Sequence, residues 1–264
     1  MMTNYYNEFD PKAARWLQEL MDNGLIPQGF IDTRSITQVR SEELEGYTQC
    51  HFFAGIGGWS LALQLAGVPE DTPLWTGSCP CQPFSSAGKH KGVNDERHLW
   101  PAFFSLIQER KPPVIFGEQV ETAIKHGWLD GVSTDLESAD YAIGSAVLPA
   151  SSIGAPHIRK RLWFVAQSHQ YSGNKAIPGG YEAEDGSPKE NRANLPESGE
   201  HWGTYSSLPG RDGRLRRCEP GVSPMVGGFP QGGDLLRGYG NAIVPQVAAV
   251  FIQSFMEVTN DKNK

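Results

Sequence analysis

QCHFFAGIGGWSLALQLAG, Gln49 to Gly67, changes its periodicity partway along. The first residues are apolar and read as a strand. Gly55, Gly57 and Gly58 make a turn in which the backbone approaches a ligand closely and the next helix points its N-terminus at it. From Trp59 the apolar spacing is helical and runs to a stop near Gly67. By itself a glycine turn of this kind serves equally as a tight connection between strand and helix.

The same alternation continues on both sides. PKAARWLQELMDN (11–23) places Ala14, Leu17, Leu20 and Met21 on one helical face, with Pro11 in the first turn. PLWTGSCP is a short strand leading into a loop, and LWPAFFSLIQERKPP is a helix stopped by prolines. PVIFGEQV is an apolar strand of the fully buried sort. TAIKHGWLDGVSTDLESADY reads as one helix, YAIGSAVLPASS and RLWFVAQS as two strands, and IVPQVAAVFIQSFMEV as the last helix. Strands alternating with helices predict an α/β fold with a doubly wound, mostly parallel sheet. From Ser168 to about Gly228 the pattern gives way to Gly, Pro, Asn, Ser and Glu, which predicts a small loop-rich lobe. The expected organisation is a main domain of 1–167 plus 229–264, with 168–228 set apart.

The chain has 264 residues, 39% hydrophobic and 20% charged, as an ordinary globular protein has. No apolar run approaches the roughly 20 residues of a membrane helix, and the polar N-terminus does not read as a signal peptide. Four cysteines in this length make no disulfide framework, so a reducing cytoplasm is the expected location. A net charge of −7 argues against a general nucleic-acid coat, although RKR (159–161) and RDGRLRR (211–217) are locally basic.

GSCPCQPFSSAG, Gly77 to Gly88, poses a chemical choice. CxC is not zinc spacing, and His90 and His98 do not complete four ligands, so no metal is expected. A disulfide across one residue is strained. A small buried apolar residue and a nucleophilic thiol remain open for Cys81. Prolines fix the backbone around it, and it follows a strand end, where α/β sheets bind ligands. FGEQVE ends another buried strand with Glu118, which is either a proton-handling carboxyl or a plain strand-end acid.

Together these segments resemble the DNA cytosine-5 methyltransferases. PCQPFS (80–85) is similar to that family's nucleophile loop, and GKHKGVNDERHLW to the mobile loop that closes over DNA. EQV (118–120) resembles its Glu-Asn-Val motif, and HIRKR (157–161) its Gln-x-Arg-x-Arg motif. GNAIVPQVA (240–248) resembles the last motif and FAGIGG (53–58) the first. His157 stands where Gln is expected and Gln119 where Asn is expected.

The motif order differs from the family's. Its second and third motifs normally lie between the glycine turn and the nucleophile loop, but Gly67 is followed almost at once by VPEDTPLWTGSCPCQ. YYNEFDPKAARWLQEL resembles the second motif with its helix, and GFIDTRSITQV the third, both at the front of the chain. The expected order is therefore second, third, first, fourth, a local permutation. Small size and rearranged order point to a phage or mobile-element source.

The resemblance implies methyl transfer from S-adenosylmethionine to carbon 5 of cytosine in double-stranded DNA. Cys81 adds to carbon 6 of a base flipped out of the duplex. Glu118 binds ring nitrogen 3 and the exocyclic amine, while Arg161 and Arg159 hold the base carbonyl or a neighbouring phosphate. Phe53, Ala54, Gly55, Gly57, Gly58 and Asn241 form the cofactor cleft. Glu8 accepts from the ribose hydroxyls, Phe9 packs on the adenine and Asp32 accepts from the adenine amine. Gln82, Ser85, Lys89 and Arg97 face DNA from the nucleophile and mobile loops, and the 168–228 region corresponds to target recognition, with Arg214 and Arg216 on phosphates or guanine edges. The alternatives are an RNA cytosine-5 methyltransferase and an inactive DNA-binding relative. A dinucleotide-dependent oxidoreductase ranks third, because GIGGWS lacks the last glycine of GxGxxG.

Overall fold

The structure is a computed structural model that describes residues 4–80, 99–155, 157–171, 206–209, 215–218 and 242–261. Seven strands share one sheet: β1 (Asn4–Asn7), β2 (Gly29–Asp32), β3 (Gln49–Phe52), β4 (Leu74–Gly77), β5 (Val114–Val120), β6 (Tyr141–Pro149) and β7 (Lys160–Ser168). Their spatial order is β2-β1-β3-β4-β5-β7-β6. The first five are parallel, β7 runs antiparallel to β5, and β6 antiparallel to β7. The α/β class and the mostly parallel sheet expected from the sequence are those observed.

Helices cover both faces, as a parallel sheet requires. On one face α3 (Trp100–Arg110) and α4 (Trp128–Ser138) bury Phe103, Leu106, Ile107, Val132 and Leu136 against Tyr5, Phe52, Ile115 and Phe164. On the other, α2 (Gly58–Leu65) and α5 (Pro245–Asp261) bury Trp59, Leu63, Val247 and Ile252 against Leu74, Phe116 and Trp163. There too α1 (Pro11–Asp22) packs Leu17 and Met21 on Tyr6 and Ile26. Asp10 caps α1, its side chain accepting from the Lys12 and Ala13 amides, with Pro11 at the first helical position.

Gly77 and Gly117 stand side by side on β4 and β5. A Cβ at Gly77 would run into the Phe103 ring, and one at Gly117 into the Phe164 ring. The two glycines leave room for large aromatic rings beside the carboxyl ends of β4 and β5.

One expectation needs correction. Residues 121–138 do not form one helix: a 3-10 segment, Glu121–His126, ends at Gly127, whose φ of 69° breaks the run before α4 begins. Within 168–228, expected to be loop-rich, one short pair of strands is described. Β8 (Ser206–Pro209) and β9 (Leu215–Cys218) form an antiparallel pair in which Leu208 faces Arg216.

Candidate active site

Register brings the last residues of the parallel strands to one edge of the sheet. Asp32, Asn7, Phe52, Gly77 and Gly117 lie in a row across β2, β1, β3, β4 and β5. The segments that follow them therefore leave from the carboxyl end of the parallel strands, where open α/β sheets bind ligands. Β7 runs the other way, so its first residues reach the same edge, with Arg161 opposite Val120.

The glycine turn is tied to the front of the chain. The Ala54 amide donates to the Asn7 carbonyl (3.0 Å), and the Gly55 amide to Glu8 Oε2 (2.7 Å). Glu8 Oε1 accepts from the Asp10 amide (2.8 Å). Burial pushes the Glu8 carboxyl up, and these two amides pull it partly back. Phe53, Gly55 and Gly57 take left-handed backbone with φ of 54°, 58° and 77°. A side chain at Gly55 would meet open space, whereas one at Gly58 would strike Ile243 Cγ1 at 2.7 Å. Phe9 is 72% exposed beside Glu8. An open turn, an aromatic face and a carboxylate with lone pairs left over fit the sugar, base and backbone of an S-adenosyl nucleoside.

Asp32 is engaged from within. It is buried, accepts from Tyr5 Oη (2.8 Å) and the Arg34 amide (2.9 Å), and takes the Arg34 guanidinium at 2.6 Å. Burial raises its pKa, but the hydrogen bonds from Arg34 and Tyr5 outweigh this and hold it below the ordinary carboxylate range.

Glu118 and Arg161 meet on the face that α2 and α5 cover. Side chains alternate along a strand, so Glu118 shares a face with Phe116, and across the β5–β7 ladder with Trp163 and Arg161. Arg161 Nε lies 3.0 Å from Glu118 Oε1. Burial drives the Glu118 pKa up to about 7, against the opposing charges of Arg161 and Arg159. Arg159 sits at a φ of 29° and donates through Nη2 to the Ala242 carbonyl (2.6 Å), linking HIRKR to the last motif. Partial desolvation by its neighbours, and then the charge of Arg159, push His157 down.

Cys81, Gln82, Ser85, Lys89, Arg97, Arg214 and Asn241 lie outside the described residues. Arg216 lies on β9, opposite Leu208. What is described is the segment that leads to Cys81. The Trp59 indole donates to Ser78 Oγ (2.9 Å), and Gln119 Nε2 to the Cys79 carbonyl (3.4 Å). Motif reading named neither Trp59 nor Ser78. The signal was present in retrospect: a tryptophan directly after the glycine turn needs a partner for its N–H once buried. Among the described residues no group of three or more His, Cys, Asp or Glu is placed to hold a metal ion.

The two halves of this edge, an open glycine turn and a buried acid paired with an arginine, agree with a match to the model of the C-5 cytosine-specific DNA methylases over residues 68–201, about half of the chain. The chain belongs to that family. Among its relatives is the Type II methyltransferase M.HhaI of Haemophilus parahaemolyticus, 27% identical over 167 residues, covering 48% of this chain and 51% of the relative. The Type II methyltransferase M.MspI of Moraxella sp is 30% identical over 141 residues, covering 50% of this chain and 34% of the relative. The chain thus spans about half the length of the first of these curated relatives and a third of the second. Of solved structures, S. pombe Dnmt2 methyltransferase superposes with a TM-score of 0.40 at 14% identity, over 63% of this chain and 51% of the other.

Proposed function

We propose that the chain transfers a methyl group from S-adenosylmethionine to carbon 5 of cytosine in double-stranded DNA. The observation that carries this reading is the buried Glu118 paired with the half-buried Arg161, on the strand beside the one that leads to Pro80 and Cys81. Cytosine carbon 5 is a poor nucleophile until a thiolate adds at carbon 6. A carboxyl held near pH 7 keeps a proton to donate to ring nitrogen 3 as charge builds in the ring. Arg161 steadies that carboxyl and offers further N–H donors to the base. The target must leave the duplex to reach this depth.

S-adenosylmethionine, when bound, supplies the electrophilic methyl group. Glu8, Phe9 and the Phe53–Gly58 turn are the residues that would hold it, and Ile243, packed on Gly58, fixes the floor of that turn. Asp32 would act at the adenine through the shape it gives the Arg34 turn as much as through its own oxygens, which Arg34 and Tyr5 already occupy. The locally permuted motif order is part of this reading. It is supported by β1 lying between β2 and β3, and by a family match that begins at residue 68, directly after the turn and its helix. Residues 168–228 would read the target, with Arg214 and Arg216 on phosphates or guanine edges. A thiol nucleophile and a DNA substrate fit a reducing, DNA-containing compartment. Among the described residues no helix is long and apolar enough to cross a membrane.

The test is tritium transfer from labelled S-adenosylmethionine into duplex DNA and into RNA, with a Cys81→Ala protein alongside. Transfer to DNA that vanishes in the variant supports the reading. Transfer to RNA alone moves the substrate, and a Cys81→Ala protein as active as the parent overturns the mechanism.

A further inference from the structure

Trp59 connects two parts of the site. It is the second residue of α2, directly after the glycine turn, and its indole is buried between Phe116 (ring centroids 6.2 Å apart) and Trp163 (5.6 Å). Its N–H donates to Ser78 Oγ at 2.9 Å. Ser78 follows the last residue of β4 and precedes Cys81 by three positions. From the opposite face of the sheet, Gln119 Nε2 reaches the carbonyl of Cys79, while Gln119 Oε1 accepts from the Val120 amide (3.0 Å). Gln119 is buried and is the direct neighbour of Glu118. The two residues that lead toward the nucleophile are therefore held from both sides, once by the helix of the cofactor turn and once by the strand that carries the acid.

We propose that Trp59 and Gln119 are positioning residues that set the backbone ahead of Cys81, and that the Trp59–Ser78 bond couples the glycine turn to the thiol. This rests on the methyltransferase reading above. The ring of Trp59 is locked by its aromatic neighbours, so its N–H points one way only. A shift of α2 when a ligand enters the turn must carry Ser78 with it. Neither residue touches a reacting atom. Their contribution is orientation, for which a misplacement of about 1 Å costs up to about 100-fold in rate.

Three variants test this. Trp59→Phe keeps a stacked ring and loses the donor, Ser78→Ala loses the acceptor at a half-buried site, and Gln119→Leu loses the second anchor. Each is assayed in the full chain for methyl transfer, for melting temperature, and for the rate at which iodoacetamide alkylates Cys81 without DNA or cofactor, read by mass spectrometry. Cys50 is buried on β3, with its thiol pushed up by that burial, and serves as a slow internal reference. The expected result is a kcat lower by about 10- to 100-fold, with KM for DNA and cofactor within about twofold. The Cys81 alkylation rate should change by several-fold, and S-adenosylmethionine should alter it in the parent but not in Trp59→Phe. Trp59→Phe combined with Ser78→Ala should be no worse than either alone. Parent-like kcat and alkylation in Ser78→Ala and Gln119→Leu would overturn the proposal, as would losses that follow melting temperature alone. If the parent transfers no methyl group the functional reading fails, and the alkylation measurements still decide whether these residues set the thiol.

Discussion

Glu118 is a carboxyl buried against a guanidinium, and its chemistry depends on which of the two environments prevails. Burial prevails, raising its pKa to about 7 although Arg161 and Arg159 pull the other way. The protonated form is the one that can donate to ring nitrogen 3. Methyl transfer should therefore be full below about pH 7 on this limb and fall as pH rises through it. In Glu118→Gln the limb should disappear and kcat should drop by about 100- to 1,000-fold, the scale for losing one preorganised donor. A pH–rate profile of both proteins measures this. Asp32 behaves in the opposite sense. Its pKa is depressed, so the stability it contributes is present above the unfolded value and is lost as pH falls through the lower folded one. Asp32→Asn should cost about 1–3 kcal/mol by leaving Arg34 and Tyr5 poorly paired, read by urea denaturation at pH 7. If the residue only shapes the turn, cofactor affinity should weaken no more than Arg34→Ala weakens it. The place of Glu118 near the end of a buried strand was legible in the sequence, because the apolar run of PVIFGEQV leads straight to it. The Tyr5–Asp32 bond was not: it joins residues 27 apart through strand pairing that no local pattern encodes.

Strands and helices were read well where one period ran unbroken, and less well where a single residue reset it. Β5 and α3 were legible from an apolar run and from a helix closed by prolines. The break at Gly127 was not, because the apolar spacing of Ala123, Trp128, Val132 and Leu136 carries a helical pattern straight across it. The antiparallel sense of β6 and β7 also escaped the sequence, since a buried strand reads alike in either direction. The packing of β4 on α3 and of β5 on β7 gives the element-scale prediction. Gly77→Ala or Gly117→Ala should destabilise by about 1–3 kcal/mol, the cost of overpacking, because the ring of Phe103 or of Phe164 must move off the glycine. Gly131→Ala, inside α4 with nothing within 4 Å of the added methyl, should instead stabilise, by about 0.5–1 kcal/mol. Thermal melts of the three variants would show opposite signs if ring-on-glycine packing governs this edge.

The whole molecule is a sheet whose parallel strands all begin at one edge and act at the other, so the order in which the chain visits them is free wherever the return paths are short. Stability of that sheet depends on a neutral histidine inside it. His51 is buried on β3, bonded to Thr76 Oγ1 (2.9 Å), and its pKa falls from 6.5 to about 3 through burial. The unfolded chain binds this proton below about 6.5 and the folded chain refuses it until about 3. Stability should be undiminished by this group above pH 6.5 and fall by up to roughly 1.4 kcal/mol per pH unit below it, a slope that His51→Gln should flatten in acid denaturation. The same sheet makes the permuted order testable. Asn4 pairs beside Gln49, and the Gln49 side chain donates to the Pro69 carbonyl (3.0 Å), so the start of β1, the start of β3 and the end of the α2 connection meet at the edge away from the site. A rearranged chain running 48–67, then 1–47, then 68–264 has only short gaps to span. Loop closure changes by about 0.6 kcal/mol per doubling of length, small beside the buried contacts of Tyr6, Leu17, Met21 and Ala54 that the rearrangement preserves. The rearranged protein should therefore fold with a stability within about 1 kcal/mol of the parent and bind S-adenosylmethionine with a Kd within about threefold. Calorimetric titration and a urea melt decide it. A folded, rearranged chain that has lost the cofactor would mean that residues 1–47 hold the glycine turn only in their present order.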